Sequence, residues 1–417
     1  MEIRNLRTRA NQLLKTYSFS VVSVLSFGIT FIQNFIFAAI LERELFGKVF
    51  LLSSLFSVFS YLFVFGLDTA VFKFYYDSKY ENKNELRVSI FSTWLVLSLG
   101  LFVFVMGTGY IVIEQLGYNL IKFDLEYVLL VVSGMIFSFF LIYQQYFVAS
   151  KQIWLYAMVT LGIRLTILIS NLGSLLMFDG DLNFFVYSYF ISTCLIFMVL
   201  LFYLDIFKLA KVSRESIKDV FSFSFPLAIN SLISISFTNG YRVLISAILP
   251  FGGLALFGII SQIASAYYIG LSSLLLPHNP TAYQYLKERE GVTKVIPSYK
   301  KKCLQLGFGG FVIILGISFF ILKYFKGGEY FDGFMMLPIL LLAQFFFLLF
   351  SHEYIVLSNY QLTSRITLST AIGIVLMLVT FYFLITFLGI LGACLVSLIG
   401  YMGQYFSARI FIQGIKT

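Results

Sequence analysis

The sequence predicts an all-α integral membrane protein, with about twelve transmembrane helices in two six-helix lobes around a central cavity. Three observations predict it. The first is composition: 59% of the 417 residues are hydrophobic and only 12% are charged, with 50 Phe and 27 Tyr. Soluble domains average about 45–50% apolar and about 25% charged, so this chain carries more apolar surface than a soluble core can hide, and lipid must be its solvent. The second is the recurrence of apolar runs of about 20 residues, the length that crosses the hydrocarbon core as a helix. The third is an uneven distribution of cations between alternate loops.

The N-terminal segment "MEIRNLRTRANQLLK" is basic and leads into an apolar run that extends to about Leu41. A cleavable signal has an apolar region of only about 7–15 residues, so this run is read as an uncleaved first span. The spans expected in order are 17–41, 48–72, 89–113, 127–149, 153–177, 184–204, 226–249, 254–276, 303–322, 335–357, 366–387 and 389–411. Pro226, Pro250, Pro277 and Pro338 are expected at span ends, where a missing backbone donor does least harm.

One set of loops, with both termini, holds 22 Lys and Arg, and the opposite set holds five, Arg43, Lys48, Lys122, Lys323 and Lys326. By the positive-inside rule both termini are cytoplasmic. The net charge of +9 therefore reflects topology, and no nucleic-acid partner is expected. The longest inner segments are about 205–225 and 278–302. In "SRESIKDVF", Ile217, Val220 and Phe221 share one helical face opposite Arg214, Glu215, Lys218 and Asp219, the pattern of a helix lying along the membrane surface. The expected domains are an N-terminal lobe 1–205, a cytoplasmic interfacial linker helix 206–225 and a C-terminal lobe 226–417. An even number of spans per half gives parallel repeats related by an axis along the membrane normal.

The two remaining cations, Arg164 and Arg242, lie inside spans five and seven. A central arginine costs at least about 2.5–3.5 kcal/mol on insertion scales, so it usually faces a cavity or a partner. On a helical wheel Thr160, Arg164, Asn171 and Ser174 share a face, and Ser231, Thr238, Asn239 and Ser246 gather around Arg242. Span one carries Ser23, Thr30 and Asn34, and span eight carries Ser261, Ser265, Tyr268 and Ser272. Such stripes fit a shared wet cavity or, more plainly, hydrogen bonds that hold helices together. The candidate substrate-binding residues are Arg164, Arg242, Asn34, Asn171, Thr238 and Asn239. A buried ion pair of either arginine with Asp68 or Glu353 is the structural alternative.

Asp68, Glu353 and His352 are the candidate coupling residues. Two distant histidines, His278 and His352, cannot build a metal site. Cys194, Cys303 and Cys394, odd in number and set in or beside apolar runs, read as small apolar residues. No glycine-rich phosphate loop, nucleophile elbow or carboxylate pair marks an enzyme, and no cofactor or metal is expected.

Two stretches carry a family resemblance. "FAAILERELFGKVFLLSSLFSVFSYLFVFGLDTAVFKFYYD" (37–77) resembles the first two spans of bacterial polysaccharide flippases in its acidic outer turn ending in Phe46-Gly47 and its second helix ending in Gly66, Leu67, Ala70 and Lys73. "FSFSFPLAINSLISISFTNGYRVLISAILPFGGLALFGIISQIAS" (221–265) resembles the start of their second lobe. The family is the O-antigen or polysaccharide flippase group (Wzx-type) of the multidrug/oligosaccharidyl-lipid/polysaccharide exporters. The resemblance implies two six-helix lobes around a cationic cavity and an undecaprenyl-diphosphate-linked oligosaccharide as substrate, moved between leaflets of the bacterial inner membrane by alternating access. It also implies membrane lipid, a polysaccharide polymerase and a chain-length regulator as partners. The family often has Asp before the span-seven arginine; Tyr241 stands there in this chain. Two other readings are a membrane polysaccharide polymerase, which would need a long outer loop for its catalytic residues, and a drug exporter of the same fold, whose usual cationic substrates Arg164 and Arg242 would repel.

Overall fold

In a computed structural model the residues described are 2–76, 83–111, 113, 124–178, 181–203, 214–235, 239–275, 291–359 and 362–416. Among them, all regular elements are helical. The first half supplies α1 (Glu2–Ile40), α2 (Arg43–Val64), α3 (Leu67–Tyr75), α4 (Lys83–Tyr110), α5 (Leu125–Ala149), α6 (Ile153–Met177) and α7 (Leu182–Tyr203). The second half supplies α8 (Arg214–Ile235), α9 (Tyr241–Ser246), α10 (Phe251–Leu275), α11 (Gly291–Tyr324), α12 (Leu337–Asn359), α13 (Thr363–Leu388) and α14 (Ile390–Lys416). Among the described residues, eleven helices are long and apolar enough to cross a membrane. They coincide with every expected span but the seventh. Large apolar side chains remain exposed along them, including Val103, Phe104, Phe308, Val379 and Phe387, as a hydrocarbon solvent requires.

The seventh span, 226–249, departs from expectation. α8 starts in the amphipathic segment read as a separate surface helix and continues through Pro226 to Ile235. Residues 236–238 lie outside the described residues, and the chain resumes through a wide turn at 239–240 into the short α9. Pro226 is thus inside a helix, not at a span end. Intramembrane helices accept proline because neighbouring groups can satisfy the freed carbonyl.

The second expected span, 48–72, is also divided. Phe65 (φ 51°) and Gly66 (φ 72°) separate α2 from α3. Two successive residues in the left-handed region end a right-handed helix. Gly66 is required twice over: its backbone favours glycine, and a Cβ there would stand 2.8 Å from Leu227 Cβ and 2.9 Å from Ser224 O of α8.

The chain divides into two compact units that do not follow chain order. One comprises Met1–Phe50 with Ile248–Thr417, and the other Leu51–Ala247. α1 therefore groups with the second half, and α8 and α9 group with the first, a different partition from lobes divided at 205 and 226. In the unit Leu51–Ala247, α5 packs on α3 and α7, α6 packs on α7, and α8 packs on α3 and α4. Its core is aromatic: Trp94 donates to Ser138 Oγ at 2.8 Å, and Phe139 lies 4.4 Å from the Tyr143 ring. In the other unit α14 packs on α12 and α13, and α10 packs on α1, α11 and α12. Gln404 donates to Thr370 Oγ1 at 3.0 Å across α14 and α13.

A polar clasp ties the helix ends of this second unit. Arg43 Nε donates to Gly252 O at 2.9 Å, and its guanidinium lies 5.7 Å from the Tyr330 ring centroid. Lys326 Nζ donates to Leu41 O at 2.6 Å and pairs with Glu329 at 3.0 Å. Leu41 follows the C-terminus of α1, where a carbonyl has no intrahelical donor and a cation suits the helix dipole; Gly252 lies on the first turn of α10, and Arg43 ties that turn to the start of α2. Arg43 and Lys326, counted in the sequence among the five cations of the sparser loops, are thus spent on structure.

Candidate functional site

Arg164 is set by α6, a helix with no Gly or Pro between Ile163 and Gly173 to bend it. The guanidinium is half-buried, and its Cζ lies 5.2 Å from the Phe137 ring centroid on α5. The Tyr61 and Tyr189 hydroxyls, from α2 and α7, are within electrostatic range of it. Among the described residues no carboxylate lies at ion-pair distance from Arg164. Tyr61 stands within electrostatic range of both Arg164 and Asp68. Tyr61 is 46% exposed, which keeps this edge of the site open.

The rest of the site follows from the α6–α7 packing. Ser53 Oγ and Tyr189 OH share a hydrogen bond at 3.3 Å. The Phe56 ring packs tilted against Tyr189, with centroids 4.5 Å apart, and edge-on to Phe137 at 5.1 Å. One helical face places Asn171 two turns from Arg164, where its Oδ1 accepts from the Ser188 hydroxyl and its amide lies beside Tyr189. Asn171 Nδ2, Thr160 Oγ1, Ser174 Oγ and Ser192 Oγ are buried with no hydrogen-bond partner among the described residues. The result is one cation, two phenols, aromatic faces and spare polar groups at the α2–α5–α6–α7 packing. Chemically it can hold an anion and hydrogen-bond or stack on a polyhydroxyl group.

The other expected residues are placed differently. Arg242 is half-buried on the first turn of α9, with Asn239 on the turn before it; Thr238 lies outside the described residues. Arg164, Asn171, Asn239 and Arg242 all belong to the unit Leu51–Ala247, whereas the expected lobes would have separated the two arginines. Asn34 is buried on α1, in the other unit. His352 and Glu353 are buried on α12 with Nδ1 and Oε2 3.6 Å apart. Arg409, which donates to Tyr405 OH at 2.9 Å, is within electrostatic range of Glu353. Asp68 opens α3, where the helix dipole favours an acid, and its Oδ1 is buried with no hydrogen-bond partner among the described residues.

The hydroxyl stripes of spans one and eight resolve into local bonds. Ser23 bonds to Phe19 O, Thr30 to Ser26 O, Ser261 to Gly258 O, Ser265 to Ser261 O and Ser272 to Ile269 O. Tyr268 pairs with Ser351 on α12. All but the last are back-bonds within one helix, and only Tyr268–Ser351 joins two helices. Sequence reasoning missed Tyr61, Tyr189, Ser53 and Phe137. With 27 tyrosines in the chain, only contact with Arg164 distinguishes two of them.

The fold is that of α-helical membrane transporters. It matches the lipid II flippase MurJ in an inward closed conformation, with TM-score 0.75 and 13% identity over 96% of this chain and 87% of that one. An inward-facing multidrug-resistance MATE family transporter of the MOP superfamily matches with TM-score 0.71 and 14% identity over 94% and 95%. A MOP superfamily transporter from Pyrococcus furiosus, described as having a binding pocket of reversed polarity, matches with TM-score 0.65 and 14% identity over 97% and 96%. No curated protein sequence matches the chain. Residues 13–276 match the family described as polysaccharide biosynthesis protein, and the chain belongs to that family.

Proposed function

We propose that this protein is a flippase that moves an undecaprenyl-diphosphate-linked oligosaccharide, an O-antigen or related repeat unit, from the cytoplasmic to the periplasmic leaflet of a bacterial inner membrane. The observation that carries the proposal is the Arg164 guanidinium, in mid-helix, with two phenols beside it and no carboxylate at ion-pair distance among the described residues. A cation placed at such cost, with no counter-charge at ion-pair distance among the described residues, suits a ligand that brings its own negative charge. Sugars and diphosphate cannot cross hydrocarbon unaided, because their polar groups would lose water without replacement.

In this mechanism Arg164 receives a diphosphate or acidic-sugar oxygen through its planar fork. Tyr189, Ser53 and Asn171 hydrogen-bond sugar hydroxyls, and Tyr61 and Phe137 offer stacking faces. Arg242 and Asn239 form a second contact point on the same unit, with Thr238 beside them in sequence. Moving a dianion outward through about 150 mV, inside negative, is favourable by roughly 7 kcal/mol if the full field is crossed. Both termini are cytoplasmic in this scheme. The family membership and the MurJ-like fold support transport over polymerisation, and two intramembrane arginines argue against cationic drugs as cargo.

The test is reconstitution. Purified protein in proteoliposomes should move a fluorescent undecaprenyl-diphosphate oligosaccharide between leaflets, faster with an inside-negative potential, and should leave a cationic dye where it was. Movement of the dye and not of the lipid-linked sugar would sink the proposal.

A further inference from the structure

The unit Met1–Phe50 with Ile248–Thr417 holds a buried ionisable pair that the proposed transport cycle does not use. His352 and Glu353 on α12 are each 4% exposed, with Nδ1 and Oε2 3.6 Å apart. They are the one histidine and the one acid on the five helices α10 to α14. Successive helical residues point about 100° apart, so these two side chains turn towards each other to come so close.

The elements packed on α12 carry phenols and cations in this half of the helix, and no second acid. From α10, Tyr268 pairs with Ser351. From α13, Arg365 donates to Phe411 O of α14 at 3.0 Å. On α11, Lys301 is exposed and Cys303 is buried. Asp332, in the turn Phe331–Met335, lies beyond the opposite end of α12. From α14 come Tyr401, whose ring is 4.9 Å from Phe347, and the pair Tyr405 and Arg409. Arg409 is exposed, donates to the buried Tyr405 hydroxyl at 2.9 Å and is within electrostatic range of Glu353.

Two forces act on the charge of the pair. A neutral imidazole beside a carboxylate carries one negative charge; one added proton, held on nitrogen or on oxygen, makes the pair neutral. Burial favours the neutral pair, because an unmatched charge away from water is costly. Arg409 favours the anion, but from an exposed position where solvent screens it. We propose that His352 and Glu353 form a proton-binding site, filled by one proton from the cytoplasmic side, and that filling it releases Arg409 from α12. The proton comes from water and forms a single N–H or O–H bond, and the attraction between Glu353 and Arg409 lapses with the negative charge. Packing of α14 on α12 then follows cytoplasmic pH, tighter when the pair is anionic and looser when it is neutral. His352 and Arg409 each stand seven residues, roughly 10 Å, from the ends of their helices at Asn359 and Lys416. That these ends are cytoplasmic rests on the topology proposed above; the proton site does not depend on the cargo.

The test uses the full chain in nanodiscs of neutral lipid, with nitrogen-labelled histidine followed by NMR and the Glu353 carboxyl by infrared difference spectroscopy. His278→Gln leaves His352 as the one histidine signal. The ring, the carboxyl or both should show one reversible one-proton transition between about pH 5 and 8. Glu353→Gln removes an anion 3.6 Å from the ring and should move the ring's midpoint down by about one unit or more. Arg409→Gln, at an exposed position, should move it up by a smaller amount, since the lost cation opposed proton uptake through solvent. If Glu353→Gln does not fold, the wild-type titration and Arg409→Gln decide. Spin labels on cysteines placed at the exposed Tyr354 and Ile410, in a Cys194→Ser background, should lie farther apart below the midpoint than above it. A ring and carboxyl silent across that range, a midpoint unmoved by either substitution, a label distance that ignores pH, or the same spectral change produced by sodium at fixed pH would each overturn the proposal.

Discussion

Arg164→Ala separates a cargo-binding cation from a structural one, because the two roles predict opposite signs for stability. The arginine has no described carboxylate at ion-pair distance, so its removal strands no buried anion at that range. What is lost is the contact with Phe137 at 5.2 Å, about 0.5–2 kcal/mol for a cation over an aromatic face. What is regained is the insertion cost of a central arginine, about 2.5–3.5 kcal/mol. The variant should be as stable as wild type or slightly more so. Its transport should fall, because a hydrogen bond to a charged group is worth about 1.5–3 kcal/mol, or roughly 10- to 100-fold in rate at subsaturating cargo. Arg164→Lys keeps the charge and loses the fork, so it should fall between. Surface polysaccharide is measured in a strain lacking the native gene, with membrane abundance and melting temperature of each variant alongside. Full export by a stable Arg164→Ala protein refutes the assignment. So does a large drop in melting temperature, which is the mark of a broken buried pair worth about 3–5 kcal/mol.

Other consequences are equally direct. Gly66→Ala places a Cβ 2.8 Å from Leu227 Cβ at φ 72°, and should destabilise by about 1–3 kcal/mol, read as lower abundance of folded protein in detergent. Tyr330 is fully buried, and burial with the neighbouring Glu329 pushes its phenol up to about 12, against the partial relief of Arg43. The folded state therefore holds a proton that the unfolded state releases near pH 10, so this contribution is intact below pH 10 and lost as pH rises towards 12. Thermal unfolding at stepped pH should show that slope, and Tyr330→Phe should flatten it. Reporter fusions after Asp332 should report the periplasm and fusions after Thr417 the cytoplasm; the reverse would overturn the reading of the 22-to-5 charge bias.

The sequence by itself determined the class of fold. Apolar length forces helices in lipid, because every backbone group must be satisfied within its own segment, and that is a local property. Eleven of the expected spans are accordingly helices long and apolar enough to cross. The sequence also singled out Arg164, because one charge in an apolar run is conspicuous without knowledge of its neighbours. Tertiary structure decided the rest. The break at Phe65–Gly66 answers to the approach of α8, far along the chain, and the passage of α8 through Pro226 answers to packing that a helical wheel does not contain. The units cut across the two halves because grouping depends on which helices touch, not on their order. The same physics explains why Tyr61 and Tyr189 were hidden and why a serine stripe does not by itself say where its hydroxyls bond. A hydroxyl can bond back to its own helix or turn towards another, and only the partner in space settles which.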